Sequence, residues 1–427
     1  MQRSIPLLAW ARSPVAPVGG ALSHLQAHEL GAPVLAALLA QTGLPAQAID
    51  AVVLGNALGA GGNPARMLAL AAGLPDACAA HTIDTQCCSG LDAIAMAVGL
   101  LQSGQADIVI AGGAEAWSRS PIRQTRPQQP GESPQAYERP PFAPTPERDP
   151  DMLQSAADYA LLHGYTRSQQ EAYALLSHRR AIAAQLQLAT EIISIAGLQH
   201  DSYPRLLTPE RAARMPVAAQ AETQVKSAAA THALSTLTVS CKADGAALVL
   251  LATDDACARY GLVPRARWLA SASVGAAPET PLLAAIAATH KVLQRGSSAV
   301  QALSRSAPTV QKLSAQGLTA QDLSVIELHD AFAVQGLAFC DAFQLAPEQI
   351  NAEGGGLARG HPIGASGSIA LVQCLAQLQR QAQPQALGLA AIAGAGGIGA
   401  ATLVQWLGEP AADTPLLIAA CLYAALA

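Results

Sequence analysis

The chain has 427 residues, of which 51% are hydrophobic and 13% charged, with a net charge of −5. That length accommodates two or three domains, and that composition supports a large apolar core and excludes wholesale disorder. Without a long basic run, nucleic acid and anionic membrane surfaces are excluded as partners.

Eight cysteines are scattered without CxxC pairs, and no His/Cys cluster has metal-ligand spacing, so reduced thiols and no metal are expected. The apolar run near Met1 is too short for a secretory signal. The apolar stretch 415–423 falls well short of the roughly 20 residues a membrane helix needs. The expected location is cytoplasmic, with no membrane contact.

Strand and helix signals alternate from the start to about residue 118. Residues 22–40 read as an amphipathic helix, 51–55 as a buried strand and 63–72 as a second helix. The stretch Asp84-Thr85-Gln86-Cys87-Cys88-Ser89-Gly90 then forms a turn, followed by an apolar helix ending near Ser103-Gly104. A strand at 107–111 runs into Gly112-Gly113-Ala114-Glu115. Continuous apolar strands between helices predict a layered α/β fold. Residues 119–150 are rich in Pro, Arg, Gln and Glu without periodicity, a surface excursion of the kind that covers sites. Helical pattern returns over 152–187, an irregular polar stretch runs to 230, and a second α/β stretch spans about 248–407.

An internal repeat organises the chain. Residues 43–54 match residues 317–328, an offset of 274 (43 to 317). At the same offset Cys87 falls on His361 and Gly90 on Gly364, so the cysteine turn has a counterpart in Gly360-His361-Pro362-Ile363-Gly364-Ala365-Ser366-Gly367. Two similar halves related by a pseudo-two-fold place such turns face to face.

Cys87 at a helix start is favoured as thiolate by the free N–H groups and the helix dipole, with a buried structural cysteine as the alternative. His361, from the equivalent turn, is the candidate base for the thiol, and His329, in Glu327-Leu328-His329-Asp330-Ala331-Phe332-Ala333, is a candidate donor to a thioester oxygen. The glycine-rich run 393–399 offers backbone N–H groups to an oxyanion, or tight helix–strand packing; its spacing excludes a dinucleotide fingerprint.

Taken together the motifs resemble the thiolase family of coenzyme A-dependent acyltransferases over residues 1–408. The resemblance is carried by Arg12-Ser13-Pro14, Gly55-Asn56, Asn63-Pro64-Ala65-Arg66, the Cys87 turn and Gly112-Gly113-Ala114-Glu115. It continues through Ser240, Asp244-Gly245-Ala246-Ala247, the His329 motif and the His361 turn. It implies a five-layered α/β fold of two βαβαβαββ halves: residues 1–250, with a loop domain inserted at about 119–245, and 251–408, followed by an apolar extension at 409–427. It implies CoA thioesters as substrates, no permanently bound cofactor, a homodimer or homotetramer, and a place in lipid metabolism such as fatty-acid β-oxidation.

By resemblance, Cys87 is the residue acylated by an acyl-CoA and His361 activates it. His329 stands where many members have Asn, as in the sterol-carrier-protein and trifunctional-enzyme branches, where two histidines form an oxyanion hole. The N–H groups of Cys87 and Ala395 correspond to a second oxyanion hole, Ser240 to a contact with the pantetheine arm, and Met152 to a segment near CoA. One departure is large. The family's second cysteine, which exchanges the α-proton, has Ala393 in its place, and the other position known to supply a thiol holds Ala331. General acid–base assistance is typically worth about 10²–10⁴-fold. Alternatives to ordinary thiolysis or Claisen condensation are therefore a decarboxylative or non-CoA-acceptor transferase, and a non-catalytic CoA-binding subunit.

Overall fold

The computed structural model describes residues 4–59, 61–306 and 317–408, so the extension expected at 409–427 lies outside the described residues. Its spine is one ten-stranded sheet. Nine strands position the site: β1 (Ile5–Arg12), β2 (Ala51–Gly55), β3 (Ala79–Ile83), β4 (Ile108–Ala116), β5 (Ala243–Ala252), β6 (Ala266–Gly275), β7 (Val325–His329), β8 (Leu387–Gly394) and β9 (Ile398–Trp406). The tenth, Ala16–Pro17, pairs with β5. Helices relevant to the site are α1 (Ala27–Thr42), α2 (Pro64–Ala71), α3 (Ser89–Gln102), α4 (Met152–His163), α5 (Arg167–Ala183), α6 (Ala284–Ser306), α7 (Ala333–Phe343), α8 (Gly356–Arg359) and α9 (Ser366–Gln381).

The strands follow the repeat. In the first half they lie in the order β3-β2-β4-β5-β1, and in the second in the order β7-β8-β9-β6. At the offset of β3 the second half carries α8 instead of a strand. The halves join edge to edge where β1 pairs antiparallel with β6, Ile5 opposite Trp268 and Leu7 opposite Ala266. At this seam Trp10 meets Trp406 edge to face at 6.1 Å.

Five layers follow from what each strand face buries. On β2, Val52 and Leu54 pack with α1 and α2 in one core, while Ala51 and Val53 face a central core built around α3 and α9. On the far side α6 and α7 cover the second half's strands. The layers therefore run helix, sheet, helix, sheet, helix, and strands buried on both faces need the continuous apolar runs the sequence has. Central α9 is buried at every residue from Ser366 to Leu378, as a helix flanked on both sides by sheet must be.

Local boundaries differ from the sequence reading in four places. The first helix begins at Ala27, not at residue 22, because Gln26 and Glu29 form a capping box there. The helical stretch 152–187 is broken at Gly164, φ +75°, and restarted by Thr166, which caps α5. The strand near 107 continues through Gly112-Gly113-Ala114-Glu115 to Ala116, and the second α/β stretch starts at Ala243. Between Ala116 and Ala243 the chain leaves the main sheet, returning to it through Arg12, whose guanidinium binds Glu191 (2.7 Å) and Asp201 (2.7 Å).

Candidate active site

The turn between β3 and α3 is tight enough to put Gln86 at φ +53°, the left-handed region that non-glycine residues seldom enter. Asp84 Oδ1 accepts the Gln86 N–H (2.9 Å), and the Ser89 hydroxyl donates to the Gln86 carbonyl (2.5 Å). Cys87 follows, pointing across the junction of the halves. From the other side come α8, then Gly360 at φ +108°, then His361, whose N–H donates to the Cys241 carbonyl (2.7 Å).

The two turns meet. Cys87 Sγ lies 3.2 Å from His361 Nε2 across 274 residues of sequence. His361 Nδ1 lies 2.8 Å from Ser366 Oγ, whose own proton goes to the Pro362 carbonyl (3.0 Å). Ser366 therefore accepts from Nδ1–H, which leaves the Nε2 lone pair facing the thiol. His361 has the orientation and tautomer of a base.

Burial decides the resting charges. It pushes the Cys87 thiol up to about 11, against the N–H groups of Ala395 and Cys87 itself, which donate toward the sulfur. It pushes His361 down to about 4. The expected resting thiolate is not what the structure supports: desolvation outweighs the helix end, and the pair rests as thiol and neutral imidazole. Proton transfer to Nε2 must accompany attack.

His329 ends β7 and is 1% exposed. Its ring stacks on His361 at 4.5 Å between centroids, and its Nε2 has no hydrogen-bond partner among the described residues. Burial first, then the nearby His361 and Arg359, hold it well below the ordinary histidine range. A thiol, a base and an unpartnered imidazole at one point are a constellation for acyl transfer.

Comparison with known proteins gives the same answer by a separate route. Residues 7–255 match the thiolase N-terminal domain and residues 280–406 the thiolase C-terminal domain. The chain belongs to the thiolase family. An acetyl-CoA acetyltransferase of Chromobacterium violaceum is 32% identical over 94% of this chain and 99% of its own length. One from Allochromatium vinosum is 33% identical over 95% and 100%. The crystal structure of Acat5 thiolase from Ascaris suum in complex with coenzyme A superposes with a TM-score of 0.81 at 28% identity, covering 95% of this chain and all of that one. Bacillus anthracis acetyl-CoA acetyltransferase gives 0.80 at 28% identity, covering 95% and 99%.

In this thiolase chain the remaining expected residues fall close by. Ala395 lies in the β8–β9 turn, and its N–H reaches the Cys87 sulfur. Ala393 is two residues back on β8, opposite Gly399. Cys88 points away from Cys87, its thiol directed at the carbonyls of Ile392 (3.8 Å) and Ile398 (3.7 Å). Ser240 donates its proton to the Gly356 carbonyl (2.6 Å), so toward a ligand its oxygen is an acceptor. Met152, at the start of α4, packs in one apolar cluster with Val239, Ala331 and Phe332. Among the described residues no group of three His, Cys, Asp or Glu could hold a metal, and no helix is long and apolar enough to cross a membrane.

The sequence reading gave no role to two residues that build the thiolase site. One is Ser366, which sets the His361 tautomer. The other is Glu115, 1% exposed, whose carboxylate accepts from Asn56 Nδ2 (2.8 Å), Ala57 N (2.9 Å) and Gly364 N (3.0 Å). It ties the His361 loop to the half that carries Cys87, and burial lifts it to about 7. Its signal was an acid at the end of an otherwise apolar strand, a placement that costs energy without partners.

Proposed function

We propose that this protein is a thiolase-type acyltransferase that works through an acyl-Cys87 thioester on acyl-CoA or 3-ketoacyl-CoA substrates. The observation carrying the reading is the 3.2 Å approach of Cys87 Sγ to a His361 Nε2 oriented by Ser366. Sγ attacks the thioester carbonyl as its proton passes to Nε2. The C–S bond to CoA then breaks, and CoA leaves as thiol with the proton returned by His361. The tetrahedral oxyanion lies within reach of donors at this junction, the N–H groups of Cys87 and Ala395 and the imidazole of His329. Ser240 and Met152 flank the path of the pantetheine arm. The His329-Asp330-Ala331-Phe332 motif puts the chain beside the His-containing branches of the family.

Ala393 marks what the site lacks. With methyl groups at 393 and 331, no thiol at either place takes the α-proton, so acylation outpaces Claisen chemistry. Incubation with acetyl-CoA followed by mass spectrometry is expected to acetylate wild type and leave Cys87→Ala unmodified; an unmodified wild type refutes the reading. Ala393→Cys is expected to raise thiolysis of acetoacetyl-CoA by about 10²-fold or more. A second reading, decarboxylative condensation, is favoured by the same absence, since loss of carbon dioxide creates the carbanion without removing a proton. Turnover with a malonyl thioester would select it.

Edge strand β3 is flanked by exposed Met67, Leu70 and Met96. A second copy of the chain covers it by pairing edge to edge, giving the homodimer. Light scattering of a His81→Pro variant, expected to be monomeric, tests this.

A further inference from the structure

Arg359 is a charge that the acyl-transfer scheme does not use. It sits two residues before His361 and is 1% exposed. Its Nη1 donates to the Gly354 carbonyl (2.7 Å), and its Nη2 has no hydrogen-bond partner among the described residues. The carboxyl groups that act on it, Glu327, Asp201 and Asp330, are buried as well. Glu327 lies two positions before His329 on β7, with one oxygen held by Gln377 Nε2 (2.7 Å) and the other without a partner among the described residues. Asp330 follows His329 and accepts from Tyr173 of α5 (2.9 Å). No direct ion pair joins Arg359 to either. A guanidinium costs several kcal/mol to bury without full pairing, so its place needs a reason other than stability.

That reason lies in the glycine arm 354–356, which forms the wall behind the imidazoles. A Cβ at Gly356 would stand 2.7 Å from His329 Cε1, so the backbone itself backs the ring. Gly355 packs as tightly on the Asp330 carboxylate. Ser240 fixes the Gly356 carbonyl, and Arg359 fixes that of Gly354. One end of this arm thus supports His329, and the other delivers His361 through Gly360.

We propose that Arg359 is the positioning residue of the histidine pair: by pinning the glycine arm from within α8 it sets His329 against His361, and it turns a buried positive charge toward His329. The inference rests on the acyl-transfer reading, in which both rings serve the acyl-Cys87 thioester. The groups facing His329 are His361, which it stacks on, Arg359 of α8, Asp330 and Glu327 of its own strand, and Tyr173 of α5 behind Asp330. Of these, His361 and Arg359 disfavour the imidazolium, alongside burial. The ring is therefore held neutral, as a hydrogen-bond donor to an oxyanion requires. Removing the cation must raise its pKa.

The test measures the rate of Cys87 acetylation by acetyl-CoA between pH 4 and 9 in the full chain, for wild type, Arg359→Lys and Arg359→Leu. Arg359→Leu is expected to slow acetylation 10- to 100-fold and to move the NMR titration of His329 up by about one pH unit, the size of effect a unit charge several ångströms away produces at an effective dielectric near 20. Arg359→Lys is expected to keep the wild-type His329 titration and most of the rate. An unmoved His329 titration in Arg359→Leu overturns the proposal, whatever its rate, because a merely structural role slows turnover without moving it. Arg359→Gln makes the same measurement if Arg359→Leu does not fold. NMR titration of the histidine ring protons follows His329 without acyl transfer. A shifted titration in an enzyme that takes no acetyl group refutes the acyl-transfer reading alone, and an unshifted one refutes this proposal alone.

Discussion

At an offset of 274 residues, Gly55 stands where His329 stands, Asn56 where Asp330 stands, and Cys87 where His361 stands. The backbones are alike and the side chains opposed. A Cβ at Gly55 would lie 2.5 Å from the Ser89 carbonyl carbon, 2.6 Å from Gly90 N and 2.7 Å from Gly364 O. Gly113 is crowded by the same Gly364 carbonyl. The first half has given up side chains at its strand ends so that the second half's His361 loop can lie against them, with Glu115 holding that loop by the Gly364 N–H. The second half keeps room at the matching place and fills it with an imidazole. Two copies of one turn make a site because they are unequal: one supplies the thiol and a bare floor, the other both rings.

Mutations that erase this inequality are expected to cost in a definite order. His361→Asn removes the base and is expected to slow Cys87 acylation by about 10³–10⁴-fold, read by quenched mass spectrometry. His329→Gly copies the first half's residue into the second. Loss of an oxyanion donor then lowers kcat by about 10²–10³-fold, while KM for acyl-CoA changes little, as steady-state kinetics would show. Ser366→Ala leaves both rings in place but frees the Nδ1–H, with an expected loss of about 10-fold from tautomer exchange. In wild type, a thiol near 11 and an imidazole near 4 give an acylation rate that is flat from about pH 6 to 9, and limbs at the ordinary histidine and cysteine values, near 6.5 and 8.5, would contradict the resting charges described above.

The smallest effect concerns stability. Burial raises Glu327 to about 8, so between the unfolded carboxyl value and pH 8 the native state binds more protons than the unfolded one. Stability from this group is complete below pH 4.5 and is lost as the pH rises to 8. Buried His361 and His178, both near 4, act in the opposite sense between pH 4 and 6.5, where the unfolded chain takes up their protons. Above pH 6.5 these histidines no longer contribute, and Glu115, lifted to about 7, acts in the same sense as Glu327. Glu327→Gln should flatten the decline between pH 6.5 and 8 in urea unfolding; an unchanged slope would assign it elsewhere.

The strands and the Cys87–His361 pairing were legible because both depend on periodicity: apolar runs mark the strands, and a constant offset equates the turns. What depends on contacts between distant residues was not. The thiolate expectation for Cys87 considered only its helix and missed the desolvation imposed by the second half. Glu115 reads in the sequence as one more motif position, because the Gly364 N–H that binds it is 249 residues away. The break at Gly164 followed a local rule, since a glycine before a capping Thr166 is a stop signal, but the surrounding helical pattern masked it. The pairing of β1 with β6 has no local signature at all.

That pairing has a mechanical consequence. Because one hydrogen-bonded ladder runs through both halves, and Trp10 locks against Trp406 beside it, the halves cannot rotate apart like the jaws of a hinged enzyme without tearing the seam. Cys87 and His361 are held by that frame at the 3.2 Å separation described above. The segment outside the main sheet, residues 117–242, is itself moored to this frame at Arg12 and at Asp330, and its exposed stretch sets the Phe142 carbonyl over Gly396, next to the Ala395 N–H that reaches the Cys87 sulfur.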